Sequence, residues 1–156
     1  MNLLSREDEA QRIEEVFGIE DPKAMWDLLD RQLATLHNRA QLLLGLAGVV
    51  VTTTGFSGRL IAGTSALGQG LIIAGVALAL IAAVVVVWGV LPIRWLTQLP
   101  GEIPEEWLQA ALAMRDGKTV RYRWALVLLV LGLALYVGAI AVMLLNPQAH
   151  TVPNVR

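Results

Sequence analysis

Three long apolar runs without a charged residue constrain this chain more than any other feature of its sequence. No Asp, Glu, Lys or Arg occurs in 40–56, 71–92 or 124–145, which are 17, 22 and 22 residues long. A helix of about 20 residues crosses a hydrocarbon layer about 30 Å thick, whereas a water-soluble bundle shows polar residues every three or four positions. The runs therefore predict an all-α integral membrane protein with three transmembrane helices, and they disfavour the water-soluble alternative.

The composition agrees with membrane-spanning segments and excludes cysteine chemistry. The chain is 56% hydrophobic and 16% charged, whereas soluble domains are about 25% charged. It contains no Cys, which excludes disulfides, thiolate metal ligands and a cysteine nucleophile. The charge-rich leader 1–39 lacks the pattern of a basic stretch, a short apolar core and a small-residue cleavage site, so we expect no cleavable signal peptide.

Basic residues are divided unevenly among the segments that flank the runs. Lys and Arg number five in the leader 1–39, one in 57–70, five in 93–123 and one in 146–156. Positive charge in short loops stays on the cytoplasmic side of a membrane. We therefore expect a multi-pass protein of a bacterial-type cytoplasmic (inner) membrane, with the leader and the cytoplasmic connection 93–123 inside. The outer turn 57–70 and the tail 146–156 are then outside.

The leader carries signals for two helices. Ser5 and Asp8 resemble a capping box, and Ala10, Ile13, Val16 and Phe17 share one face of an acidic amphipathic helix over about 5–17. We expect this helix to rest on a neighbouring helix, because anionic lipid favours basic faces. Asp21 and Pro22 are typical of a second helix start, and nothing before Thr54 interrupts that helix.

An apolar line follows the second helix from the cytoplasmic leader into the first span. Its members are spaced alternately four and three residues apart, as in a heptad seam: Leu29, Leu33, Leu36, Ala40, Leu43, Ala47 and Val50. Two interpretations remain open. The seam packs inside the chain against the cytoplasmic extension of the third span, or it joins protomers or a partner subunit.

Small residues in the spans predict close helix packing. They let backbones approach in a membrane, where no hydrophobic drive acts between helices. The candidates are Gly45, Gly48, Gly75, Ala134, Gly138 and Ala141. Within a bundle of only three helices, some of these small-residue faces have no neighbouring helix to pack against. The pattern therefore favours association with further helices.

Threonines and aromatic residues mark the ends of the spans. Thr52, Thr53 and Thr54 can donate to carbonyls one turn earlier, although a threonine ring that lines a pore in an oligomer is an alternative. Arg59 would anchor the outer end of the first span at the headgroups. The other predicted interface anchors are the aromatic residues Trp88, Trp95, Tyr122 and Trp124.

The cytoplasmic connection contains its own helix signal. Pro104 and the two following acids begin it, Arg115 lies in its last turn and Gly117 stops it. We therefore expect a short amphipathic helix over 104–116, lying on the cytoplasmic ends of the spans or on the membrane surface. The third span then occupies 124–145.

Catalytic and cofactor signatures are missing from the sequence. His37 and His150 are expected on opposite sides of the membrane, and no HExxH, phosphate-loop or nucleophile-elbow motif occurs. The three runs hold no Asp, Glu, Lys, Arg or His, which disfavours a coupled transporter. We expect no enzyme activity, no cofactor, no metal and, at a net charge of −1, no nucleic-acid partner.

The entrance to the first span carries a family resemblance. Asn38-Arg39-Ala40-Gln41 leads into an apolar run with Gly45, after a helix with Asp30. This motif, with a leader helix, two spans ending near Pro92, a cytoplasmic stretch and a third span, resembles the small transmembrane effectors of bacterial Pycsar antiphage systems. Asn38 stands where that family usually has Asp. The resemblance implies a response to a cyclic pyrimidine nucleotide and disruption of the inner membrane.

Two functional hypotheses follow. The first is a non-enzymatic membrane protein that acts through helix–helix assembly, as a homo-oligomer or as an accessory subunit of a larger membrane complex. Its partners would be the bilayer and other copies of itself or other membrane-protein subunits. The alternative is a membrane-disrupting antiphage effector, or an oligomeric channel, that responds to a nucleotide signal.

Overall fold

The chain folds as four helices in the residues that the computed structural model describes, which are 5–17, 22–57, 65–92 and 104–145. The helices are α1 (Arg6–Phe17), α2 (Pro22–Phe56), α3 (Ala66–Gly89) and α4 (Pro104–Leu145). These described residues contain no strand. Helices α2, α3 and α4 are each long and apolar enough to cross a membrane by length and composition. The all-α prediction is therefore confirmed for the described residues, as is the prediction of three helices long and apolar enough to cross a membrane.

The starts of α1 and α2 agree with the sequence signals. Ser5 Oγ accepts from the Asp8 amide at 3.2 Å, and Asp8 Oδ2 accepts from the Ser5 amide at 3.3 Å. These reciprocal bonds form the capping box that the sequence predicts, and they satisfy amides that a helix start leaves without partners. Helix α2 begins at Pro22, whereas Asp21, its predicted cap, lies outside the described residues.

Helix α3 begins earlier than the sequence predicts. The outer turn was expected to extend to residue 70, but α3 starts at Ala66. Ser65 provides the physical reason, because its Oγ accepts from the Gly68 amide at 3.3 Å and its carbonyl accepts from the Gln69 amide at 3.0 Å. A serine at this position caps a helix.

Helix α4 is continuous where a break was predicted. The sequence predicts a short helix that ends at residue 116. This end is wrong, because α4 continues through Gly117 as one helix of 42 residues. A glycine costs a helix interior about 1 kcal/mol. Leu112 and Lys118 on either side are buried, and their packing outweighs this cost.

The chain divides into two compact units. The first unit consists of Met1–Leu42 and Val85–Arg123. Its core is an apolar cluster drawn from three helices: Ala10 and Ile13 of α1, Met25, Leu29 and Leu33 of α2, and Leu108, Ala111 and Leu112 of α4. The unit is thus held by leucines and by small side chains between them.

The second unit consists of Leu43–Val84 and Trp124–Arg156. Its described part has a core of mostly smaller buried residues: Leu43, Ala47, Val50, Ile72, Gly75, Ala79, Ala82, Ala125, Leu129, Gly132 and Ala139. Small side chains allow the backbones of packed helices to approach each other.

Large apolar side chains also cover the outside of the three long helices. Leu46 and Val49 of α2, Ile73 of α3, and Val137 and Leu144 of α4 are exposed. A soluble monomer rarely exposes a contiguous apolar surface, and such a surface marks a contact with membrane or protein.

Candidate functional site

A bidentate ion pair joins α1 to α4 in the first unit. Arg115 Nη1 donates to Glu9 Oε1 at 2.6 Å, and Arg115 Nη2 donates to Glu9 Oε2 at 2.7 Å. The two side chains are only 17% and 30% exposed. A two-pronged guanidinium–carboxylate pair is among the strongest polar contacts available to a protein, and partial burial reduces its screening by solvent.

Further polar groups surround Arg115. Asp116 Oδ1 accepts from Arg115 Nη2 at 2.8 Å, and Gln32 Oε1 on α2 accepts from Nη1 at 3.0 Å. Arg6 Nε donates to Asp116 Oδ2 at 3.3 Å. The cluster therefore links α1, α2 and α4, and Arg115 is its central residue.

The ion pair also fixes the protonation states of its partners. The hydrogen bonds from Arg115 hold the pKa of Glu9 below its ordinary value of 4.5, and the opposing effects of burial and of Asp116 are smaller. The same hydrogen bonds, which Arg115 donates to Glu9, raise the pKa of Arg115 further above its already high value. Both side chains are therefore charged at neutral pH.

Apolar contacts lie beneath this ion pair. Ala10 and Ile13 of α1 are buried against leucines of α2 and α4. The rings of Trp26 and Trp107 stack beside this cluster, with centroids 4.8 Å apart and planes 18° from parallel. The indole pair adds an aromatic contact between α2 and α4 to their leucine packing.

Two cationic side chains of α4 bind carbonyls at the end of α3. Lys118, only 6% exposed, donates from Nζ to the Pro92 carbonyl at 3.0 Å. Arg121 Nη1 donates to the Gly89 carbonyl at 3.3 Å. Carbonyls at a helix C-terminus lack intrahelical donors and carry partial negative charge. Arg121 therefore caps α3, whereas Lys118 binds the chain three residues beyond the end of that helix.

A backbone contact between glycines joins α3 and α4 in the second unit. A Cβ placed on Gly75 would lie 2.7 Å from the Gly132 carbonyl oxygen and 3.1 Å from the Tyr136 amide nitrogen. A Cβ on Gly132 would lie 2.7 Å from the Gly75 carbonyl oxygen. Only glycine allows this approach without displacement, because the neighbouring atoms belong to the backbone.

The structure places the predicted seam inside the chain. Six of its seven members are buried: Leu29, Leu33, Ala40, Leu43, Ala47 and Val50. Leu36 is half-buried. Leu29 and Leu33 pack with α4 in the first unit. The buried seam residues are therefore not on the outer surface that a second chain would meet.

The predicted close-packing residues fall in different surroundings. Gly75 makes the contact just described, but Gly45, Gly48 and Gly138 have no atom within 4 Å of a Cβ placed on them. Ala134 and Ala141 are exposed. The partner of Gly75 is Gly132, which the sequence reasoning missed. Gly132 lies on a line of buried α4 positions spaced seven residues apart, at 111, 118, 125, 132 and 139, and this period would have marked Gly132.

Trp88 and the three threonines lie near helix ends, whereas Tyr122 and Trp124 lie in the middle of α4. Trp88 and Trp124 are exposed, and Tyr122 is half-buried. Arg59 and Trp95 lie outside the described residues. Three hydroxyls donate to the carbonyl four residues earlier at 2.8 Å, and they belong to Thr52, Thr53 and Thr54. These bonds are the ones that the sequence predicts for threonines in an apolar helix.

The structure also locates the groups that could hold a metal or a catalytic centre. His37 Nδ1 lies 3.1 Å from the carbonyl oxygen of Leu33 on its own helix, and His150 lies outside the described residues. The described ranges contain no group of three or more His, Cys, Asp or Glu side chains placed to hold a metal ion. Comparison with protein-family models, with curated proteins and with solved structures gives no match to the chain.

Proposed function

We propose that this chain is a three-span protein of a bacterial-type inner membrane that acts by helix–helix assembly and not by catalysis. It assembles with copies of itself, or joins a larger membrane complex as an accessory subunit. The leader and the segment 93–123 are cytoplasmic, and the tail is outside. The uneven distribution of basic residues and the apolar outer surface of three long helices support this topology.

The outward side of α2 carries the proposal of assembly. Gly45 and Gly48 have open space where a side chain would be, and Leu42, Leu46 and Val49 beside them are exposed. Large side chains next to gaps form a surface of ridges and grooves that fits a second helix closely. Because the seam on the other side of α2 is buried in the chain, this outward face is the one that a partner helix meets.

Single-cysteine variants test the assembly, and the natural chain has no cysteine that would interfere. In membranes, Gly48→Cys should form a disulfide-linked dimer on mild oxidation. Ala47→Cys, which replaces the buried neighbour, should not. Val137→Cys, on the exposed surface of α4, controls for random collision. Equal dimer formation at 48 and 137 would contradict a contact through α2.

The same cysteine-free background tests the topology. A membrane-impermeant maleimide should label Ser57→Cys in intact cells, because Ser57 follows the outer end of α2. It should label Asp30→Cys only after the membrane is permeabilised. The opposite pattern would reverse the proposed orientation.

A second candidate function rests on polar and small residues along the outward side of α2. Gln41, Gly45, Gly48 and Thr52 are exposed and lie at helical spacing on one side of the helix. In an assembly around this face they would form a polar path through the membrane. Together with the resemblance at Asn38–Gly45, this path supports a membrane-opening effector that responds to a cyclic pyrimidine nucleotide.

Ion flux from liposomes separates the two candidates. The assembly candidate predicts that purified protein leaves a potassium gradient across the liposome membrane intact, with or without nucleotide. The effector predicts leakage that increases with a cyclic pyrimidine nucleotide and that falls when Gly48 is replaced by leucine. Gly138→Leu is the matched control, because Gly138 also has open space around it.

A further inference from the structure

Helix α1 is held in the first unit by few apolar contacts. It has 12 residues, most of them charged. Ala10 and Ile13 are its buried apolar residues among the described side chains, and Val16 is exposed. A helix of this length is marginal in water by itself. Its helical state therefore depends on its contacts with α2 and α4.

The charged contact of α1 lies beside its apolar contact. Glu9 immediately precedes Ala10 and is four residues before Ile13, so the three residues lie on adjoining parts of one helix surface. Arg115 binds both oxygens of Glu9 at 2.6 and 2.7 Å. Arg115 is also bonded to Gln32 and Asp116, so its guanidinium has partners on α2 and α4 besides Glu9.

Removing α1 would leave a shaped apolar surface. Met25 and Leu29 of α2 and Leu108 and Leu112 of α4 belong to the cluster that α1 covers. These side chains come from two helices that are also joined by the Trp26–Trp107 stack. The groove and its fixed cation therefore do not depend on α1 alone for their arrangement.

We propose that the groove between α2 and α4 in the first unit is a recognition site for an acidic amphipathic helix, with α1 of this chain as its releasable occupant. Arg115 binds a carboxylate of this helix. The groove accepts the apolar side chains that lie one and four residues after the acidic residue. Tethering gives α1 a high effective concentration at the site, so α1 occupies it until the ion pair is weakened. Release exposes the groove.

Amide exchange on the full chain in detergent micelles tests the release. Glu9→Gln keeps the shape of the side chain but removes its charge, and it should speed exchange in residues 6–17 about tenfold. Exchange in α3 should not change. Glu15→Gln is the matched control, because Glu15 is an exposed acid of α1 that makes none of the ion pairs found among the described residues. Unchanged exchange of α1 in Glu9→Gln would overturn the proposal, as would exchange of α1 and α2 at one common rate.

A labelled peptide of residues 5–17 tests the recognition. The full-length Glu9→Lys variant, whose own α1 is repelled by Arg115, should bind this peptide. A peptide with Glu9→Gln should bind at least about tenfold more weakly. Adding Arg115→Gln to the full-length variant should remove the difference between the two peptides. Equal binding of both peptides while Arg115 is present would show that Arg115 does not read the carboxylate, which overturns the proposal.

Discussion

Replacing Gly75 with alanine should force α3 and α4 apart in the second unit. The added Cβ would lie 2.7 Å from the Gly132 carbonyl oxygen and 3.1 Å from the Tyr136 amide nitrogen. An ordinary contact between carbon and oxygen is about 3.3–3.6 Å, so the helices must separate locally by roughly 0.6–0.9 Å. No side-chain rotation relieves this clash, because both neighbouring atoms belong to the backbone of α4.

The magnitude follows from two opposing effects. Overpacking a well-packed contact costs about 1–3 kcal/mol, whereas exchanging glycine for alanine within a helix stabilises it by about 1 kcal/mol. Gly70→Ala in the same helix has only the second effect, because a Cβ there meets nothing within 4 Å. Gly75→Ala should therefore be about 1–3 kcal/mol less stable than Gly70→Ala.

Reversible unfolding in mixed detergent micelles, followed by circular dichroism, measures this difference. Gly132→Ala should behave like Gly75→Ala, since its Cβ would lie 2.7 Å from the Gly75 carbonyl oxygen. The double variant should lose less than the sum of the two, because one separation relieves both clashes. If Gly75→Ala were as stable as Gly70→Ala, the glycine contact would not hold α3 to α4.

Three further predictions concern the first unit. Leu29→Ala removes a side chain that is 1% exposed and should lower the free energy of unfolding by about 2–5 kcal/mol, measured by denaturant titration; a change below about 0.5 kcal/mol would contradict its place in the core. Lys118→Met removes the ammonium that binds the Pro92 carbonyl just after α3 and should cost about 1–3 kcal/mol, with faster amide exchange confined to the C-terminal end of α3 and residues 90–91. Because the pKa of Glu9 in the folded chain is below its ordinary 4.5, the ion pair stabilises docked α1 above that pH and loses this effect as the pH falls below 4.5 through the folded pKa. The protection of α1 amides, which is the intrinsic exchange rate at the same pH divided by the observed rate, should therefore fall in that acidic range in the natural chain. Glu9→Gln should remove the part of this dependence that comes from the pair with Arg115.

The helices were predictable because their signals are local. Charge-free runs locate the three long apolar helices, and Ser5 with Asp8 caps α1 as a capping box does. The hydroxyl bonds of Thr52, Thr53 and Thr54 follow from side-chain reach alone. Each of these features depends on residues no more than a few positions apart in the sequence.

Features that depend on distant packing were not predictable in the same way. Gly117 is a helix-stop signal, but α4 continues past it because buried residues on both sides stabilise the helix. The Arg115–Glu9 pair joins residues 106 positions apart, and no local pattern indicates which acid a given arginine will meet. The sequence analysis placed Arg115 in the last turn of a short helix and described the helix that contains Glu9 only as acidic and amphipathic.

Residue type alone also left the packing faces undecided. The heptad spacing indicated a line on α2, and six of its seven residues are buried, but spacing does not say whether the covering helix belongs to the same chain. Small residues indicated close contact in α4, yet Ala134 is exposed and Gly132 makes the contact. The side of the helix on which a small residue lies, and not the residue type, decides whether it faces the neighbouring helix.

The mass of the protein in a lipid nanodisc or a mild detergent tests the proposed assembly most directly. We expect a complex of two or more chains, or of this chain with another membrane subunit. Replacing Gly45 and Gly48 together by leucine should reduce the complex to the single chain without unfolding it, because both positions face open space. Gly138→Leu should keep the complex intact. A single chain for the natural protein, or a complex that survives the double replacement, would contradict assembly through the outward face of α2.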